Sequence, residues 1–322
     1  MISRLLRLAL FLLLAGSAGL AAAQAWPNRP VRMVVSYPPG GGADVVARLL
    51  GPKLSEYLGQ QFVIENRGGA SGVIGAEVVA KAAPDGYTVL LDASAHGVNP
   101  SLQPKLPYDT MKDLGAVSLL VRVPNVVVVT PSLPVNSVAE LIALAKSKPG
   151  ELSFASSGTG SAQHLAAELF KVQANLSMVH VPYRGGSAAM VDVMSGQIPL
   201  MFTNMASALP HVKAGKLKPL ATTGSHRPSA LPDLPTVAET GLKGYEVYEW
   251  NGLFVTGGTP GDIIDRLQKA AVKALSQADV RERLVNLGAE VAASTPAELD
   301  RYRSNEIVKW AAIIKKAGIK PE

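Results

Sequence analysis

The chain has 322 residues, a formal net charge of +6, 48% apolar residues and no cysteine. Without thiols it has neither disulfides nor thiolate chemistry nor a cysteine-linked lipid anchor, so the fold rests on its core alone. That core can be large, and the length suffices for two ordinary domains; with no basic tract, nucleic-acid and membrane-surface binding have no support.

Arg4 and Arg7 precede an apolar run from Leu8 to Leu14 and a small-residue stretch ending at Ala21 to Ala25. This pattern reads as a secretory signal peptide over residues 1–25, cleaved after Ala23 or Ala25. Its loss with two arginines and no acid lowers the formal charge from +6 to +4. No later stretch reaches the roughly 20 apolar residues of a membrane span, so no stable membrane insertion is expected. Val31 to Ser36 is then a β-branched run, followed by Pro38 to Gly42 and a helical pattern through Leu50, Leu54 and Leu58. The unit recurs: strand from Gln61 to Glu65, loop Gly68 to Gly72, helix through Ile74, Val78 and Val79, strand from Tyr87 to Leu91. Such alternation predicts a mostly parallel sheet covered on both faces.

After apolar stretches at Val117–Val121 and Val126–Val129, Ser137 and Glu140 stand at capping-box spacing. A second α/β series begins there, with strands at Leu152–Ala155, Met178–Val181, Ile198–Phe202 and Leu217–Ala221. Its helices are Gln163–Val172, one stopping at Gly196, and one through Leu209 and Val212. Ser225 to Pro235 reads as a surface connection, Tyr245 to Val255 as an apolar segment. Helices at Pro260–Leu275, Val280–Leu287 and Pro296–Ala317 complete the chain.

Three loops leave a strand and enter a helix: Gly40 to Ala43, Gly68 to Gly72, and Ser157 to Ser161. Helix N-termini with free amides attract anions, and in open α/β sheets such loops lie where ligands bind. Glycines also simply make tight turns, but three such loops in one chain favour a carboxylate site. Gly158-Thr159-Gly160 lacks the last glycine of a dinucleotide fingerprint, and neither a Walker lysine nor a Gly-x-Ser-x-Gly elbow occurs. No cofactor is therefore expected. Ser161 and His164 invite a nucleophile-and-base reading, with His96 as another base, but Ser161 also suits a helix cap. His180, His211 and His226 lack metal-ligand spacing, so no metal is expected. Asp44 and Asp192 fit helix starts and loops, and Arg184 is either a carboxylate clamp or a solvated loop residue.

Taken in order, Trp26-Pro27 to Arg32, Tyr37 to Asp44, Glu65-Asn66-Arg67, Ala83 to Tyr87, Leu106 to Asp109, Ser157 to His164, His180 to Gly185, Ala208 to His211 and Leu234 to Glu239 carry a specific signature. Through them nearly the whole mature chain resembles the Bug family, the receptors of tripartite tricarboxylate transporters. The resemblance implies an α/β type II periplasmic-binding-protein fold, two lobes with a ligand cleft between them. Together with the apolar runs it places residues 26–125 and 249–322 in the first lobe and 126–248 in the second, with crossings near Val126 and Tyr248. It implies a non-enzymatic periplasmic receptor that closes on a small carboxylate and delivers it to membrane transporter subunits. Ligand contacts carried over are Gly41, Gly42, Ala43 and Ser94 from one lobe, and Ser157, Thr159, Gly160, Ser161 and Tyr183 from the other, with Thr203 and Asn204. Where an acid often stands in the family this chain has Thr203, which favours a plain dicarboxylate or an aromatic acid over an amino acid. The competing readings are an exported hydrolase using Ser161, and a ligand-sensing partner of a membrane signalling receptor.

Overall fold

The computed structural model describes residues 26–103 and 105–320. The leader read at 1–25 and its cleavage positions lie outside the described residues. In β1 (Val31–Val35), successive side chains point to opposite faces of the sheet. Val31, Met33 and Val35 enter one apolar cluster, and Val34 enters another. The chain continues through α1 (Gly42–Leu58), β2 (Phe62–Asn66), α2 (Val73–Ala80), β3 (Thr88–Ala93), a single turn at Ser94–Gly97 and the short α3 (Asn99–Leu102). Both β2 and β3 pair with β1 in parallel, as two strand-loop-helix units require.

The apolar stretches around residues 117–121 and 126–129 are one strand, β4 (Leu114–Val129). Its first part runs antiparallel to β9 (Tyr248–Thr256). Its last part, Asn125–Val129, pairs instead with β7 (Leu200–Asn204) and β8 (Lys218–Thr222), both antiparallel. Pro124, which has no N–H to donate, stands where the partners change. These long strands depart from the parallel expectation for a topological reason. A chain that leaves one half of the molecule and later returns crosses the junction in opposite directions, so the two crossing segments pair antiparallel.

Beyond β4 the second half repeats the α/β plan with α4 (Val138–Ser147), β5 (Ser153–Ser156), α5 (Ala162–Ala174), β6 (Val179–Pro182), α6 (Gly186–Met194) and α7 (Met205–Lys213). Here β5 is parallel to β6 and β7. The sheet order is β2-β1-β3-β9-β4-β7-β5-β6, and β8 and the short β10 (Glu290–Val291) also pair with β4. Helices α8 (Gly261–Ser276), α9 (Ala278–Asn286) and α10 (Pro296–Ala317) return to the first half.

Each half has a core on both sheet faces. In the second half Val127 and Val129 face Phe154, Phe170 and Phe202, whereas Val126 and Val128 face Met190, Met201 and Met205. The last helix belongs to both halves: Leu299 packs with Trp250 and Phe254, while Trp310, Ile313 and Ile314 pack into the second half's aromatic cluster. The molecule is thus a two-lobed α/β protein of the periplasmic-binding type, with the N-terminal ends of several helices turned toward the space between the lobes. No helix among the described residues is long and apolar enough to cross a membrane.

Candidate functional site

A cavity of about 500 Å³ lies between loops of the two halves. From the first half it is lined by Tyr37, Gly41, Gly42, Ala43 and Ser94, and from the second by Ser157, Thr159, Gly160, Ser161 and Gln163. Gly41 caps α1 without any side-chain hydrogen bond, so the first amides of that helix have no acceptor among the described residues. Asp44 holds this loop: its carboxylate accepts from Gly40 N at 2.9 Å, Arg48 Nε at 2.9 Å and Asn66 Nδ2 at 2.9 Å. Burial opposes its ionisation, but these donors outweigh that and keep its pKa below the usual aspartate value.

The opposing loop is held from beneath by two stacked imidazoles. His164 and His180 lie 3.8 Å apart, centroid to centroid, with 11° between their planes. His164 Nδ1 accepts from Gly160 N at 3.1 Å, and His180 Nε2 lies 2.6 Å from Ser156 Oγ, which accepts from Gly158 N at 3.1 Å. Burial first, and the neighbouring His164 second, push His180 down to about 4, so near neutrality the ring is uncharged. Gly158 and Gly160 have φ of +128° and +76°, values that side chains strain, and this lets the loop turn its backbone toward the cavity. The Ser94 and Thr159 hydroxyls make no hydrogen bond to protein among the described residues, which leaves them available to a ligand.

A second cavity of about 590 Å³ adjoins the first, and Gly42, Ser157, Gln163 and Glu249 line both. Its walls include apolar Val45, Val121, Met190, Val191 and Leu287, together with Thr203, Asn204 and His211. Glu249, on β9 beside the strand crossing, sits between the chambers. Its Oε2 accepts from Asn204 Nδ2 at 3.0 Å and from Gln163 Nε2 at 3.5 Å. Gln163 Oε1 in turn accepts from Ser157 Oγ at 2.7 Å, and Asn204 Oδ1 caps α7 by accepting from Ala206 N at 2.9 Å. Desolvation raises the pKa of Glu249, while the two amide donors partly offset that rise. Among the described residues no lysine or arginine lines either cavity.

Of the residues expected at the site, Gly41, Gly42, Ala43, Ser94, Ser157, Thr159, Gly160 and Ser161 line the first cavity, and Thr203 and Asn204 the second. Tyr183 lines neither. Its hydroxyl donates to Asp192 Oδ2 at 2.6 Å, so it braces α6 and does not offer its phenol to the cleft. Arg184 is exposed. Ser161 is the α5 cap, its Oγ accepting from His164 N at 3.2 Å, and the His164 Nδ1 lone pair is taken by Gly160 N. The nucleophile-and-base geometry is therefore absent from this pair. His96 is buried, bonded through Nδ1 to Asp92 Oδ2 at 3.0 Å and stacked on Phe254. Glu249 was not anticipated from the sequence. The available signal was two acids, Glu246 and Glu249, inside the apolar run Tyr245 to Val255, where packing alone gives no reason for a charge.

Residues 46–319 match the family model described as the tripartite tricarboxylate transporter family receptor. The chain belongs to this family. An R. palustris protein solved with adipate is 38% identical, with a TM-score of 0.81 over 92% of this chain and 100% of that one. The periplasmic binding protein BugD is 35% identical, TM-score 0.78, over 92% of this chain and 100% of that one. MatC from Rhodopseudomonas palustris, with bound malate, is 35% identical, TM-score 0.76, over 90% and 100%. The Bug resemblance thus holds, and the chain is a periplasmic solute-binding receptor and not an enzyme. Neither the hydrolase nor the signalling reading gains support from these relatives.

Proposed function

We propose that this Bug receptor captures a small carboxylate between its lobes, closes on it, and delivers the closed form to the membrane subunits of a tripartite tricarboxylate transporter. The observation that carries the reading is one cavity lined by the uncapped start of α1 from one half and by the Ser157–Ser161 loop of α5 from the other. Backbone amides at two helix N-termini, with the Ser94 and Thr159 hydroxyls, suit a carboxylate without any cationic side chain. The bound adipate and malate of the two relatives agree with that chemistry.

The lobes of this reading are residues 26–125 with 249–322, and 126–248, the last turns of α10 reaching across to the second. The change of partners along β4 near Pro124 and the start of β9 at Tyr248 support these crossings. Export is accompanied by removal of the leader, cleaved after Ala23 or Ala25, and N-terminal sequencing of periplasmic protein should begin at Gln24 or Trp26. The ligand-binding reading is tested by a thermal-shift screen of dicarboxylates, tricarboxylates, amino acids and aromatic acids, with mass spectrometry of each hit after incubation. Stabilisation by carboxylates recovered unchanged is expected. Failure of every carboxylate to stabilise the protein, or conversion of a hit to product, defeats the proposal.

A further inference from the structure

We propose that the ligand of this cleft is a zwitterion, a carboxylate that also bears a protonated amine, and that Glu249 is the residue that selects it. The assignment rests on the carboxylate-receptor reading above and adds the other end of the ligand.

Among the residues lining the two cavities Glu249 is the one acid, and it faces no lysine or arginine there. Both of its hydrogen bonds, from Asn204 and Gln163, fall on Oε2, so Oε1 is left without a donor among the described residues. The same two amides hold the carboxylate in one orientation. Asn204 is itself fixed as the cap of α7, and Gln163 by the Ser157 hydroxyl. A carboxylate aligned on one oxygen and open on the other accepts a hydrogen bond from whatever enters the cleft.

The remaining charge in the cleft comes from helix N-termini, which attract anions. Glu249 stands on the wall common to both chambers, where its protein donors are the neutral side-chain amides of Gln163 and Asn204. A ligand with carboxylates at both ends would bring a second negative charge toward a carboxylate that burial already makes costly to ionise. An amine at that end reverses the interaction: it donates to Oε1 and supplies the missing counter-charge. His211, the one histidine among the described lining residues, makes no ion pair with Glu249 within 4.0 Å. The charge that Thr203 lacks is thus supplied to the same chamber by a different strand.

The test pairs each amino acid with the dicarboxylate of the same methylene spacer: β-alanine with succinate, γ-aminobutyrate with glutarate, and δ-aminovalerate with adipate. Their affinities are measured by calorimetry on the wild-type receptor and on Glu249→Gln, which keeps the shape and an amide oxygen for Asn204. In wild type at least one amino acid should bind tenfold or more tightly than its dicarboxylate partner. Glu249→Gln should lower that ratio by at least tenfold, about 1.4 kcal/mol, chiefly through weaker amine binding. Two results overturn the assignment: dicarboxylates bind more tightly in every pair, or the ratio is unchanged in Glu249→Gln, as when a purely structural acid's loss weakens both members equally. If no carboxylate of either series binds either protein, the carboxylate-receptor reading fails with it.

Discussion

At Gly42 a Cβ would meet no atom within 4 Å, whereas at Gly160 it would come within 2.6 Å of Leu102 Cδ1 at a φ of +76°. The first glycine therefore keeps ligand space open, and the second keeps the loop itself possible. Gly42→Val should leave the empty receptor's melting temperature almost unchanged while weakening carboxylate binding tenfold or more, as read by calorimetry. Beneath the other loop, His180 has a folded-state pKa near 4 against an ordinary value of 6.5. Between those values the unfolded chain binds a proton that the folded one refuses, so stability is lost as pH falls from about 6.5 toward 4 and not above that window. The upper limit is about 1.4 kcal/mol per pH unit, and the ring's partial exposure screens it to less. Urea unfolding at several pH values should show this slope in wild type and a shallower one in His180→Gln. Equal slopes would mean that other groups carry it.

Helix starts do two kinds of work in this protein. At α10 the Thr295 hydroxyl accepts from Glu298 N while Glu298 returns a bond to Thr295 N, a reciprocal box that satisfies two otherwise orphaned donors. Thr295→Ala should cost about 1 kcal/mol of stability by chemical denaturation, with ligand affinity unaltered. A loss of affinity without a loss of stability would contradict this division. At α1, by contrast, Gly41 provides no side-chain cap, and the unmet amides are the ones that border the cavity. The structural helix end is closed by its own side chains, and the cleft-facing one is left for a ligand.

Across the whole molecule, β4 pairs with β9 in one half of the sheet and with β7 and β8 in the other, and α10 reaches from Leu299 in one core to Trp310 in the other. Closure should accordingly be a rotation about the strand crossing, with α10 limiting its range. A ligand that contacts both walls binds the closed form better, and only that difference shifts the population. Small-angle scattering should show a smaller radius of gyration with saturating ligand than without it. Ligand at about 1,000 times its dissociation constant should add roughly 4 kcal/mol to stability. Unchanged dimensions at saturation would rule out closure as the response to binding.

Local signals were enough for the strand-loop-helix units, because strand alternation, glycine loops and helix caps are written in neighbouring residues. Val31–Val35 entering α1 through Gly40 to Gly42, and Ser161 capping α5, are legible for that reason. The resemblance to the Bug receptors was legible too, since it depends on the order of short motifs. Only the tertiary structure decided which loops share a cavity, because that depends on contacts between residues far apart in the chain. It joined the two apolar stretches of β4 into one crossing strand, turned the Tyr183 hydroxyl to Asp192, and brought Glu249 beside Asn204 and Gln163. Glu249 stayed hidden because a charge's partners, not its place in an apolar run, determine its role. Those partners come from β7 and α5, and they meet it only when the two halves of the sheet are assembled around β4 and β9.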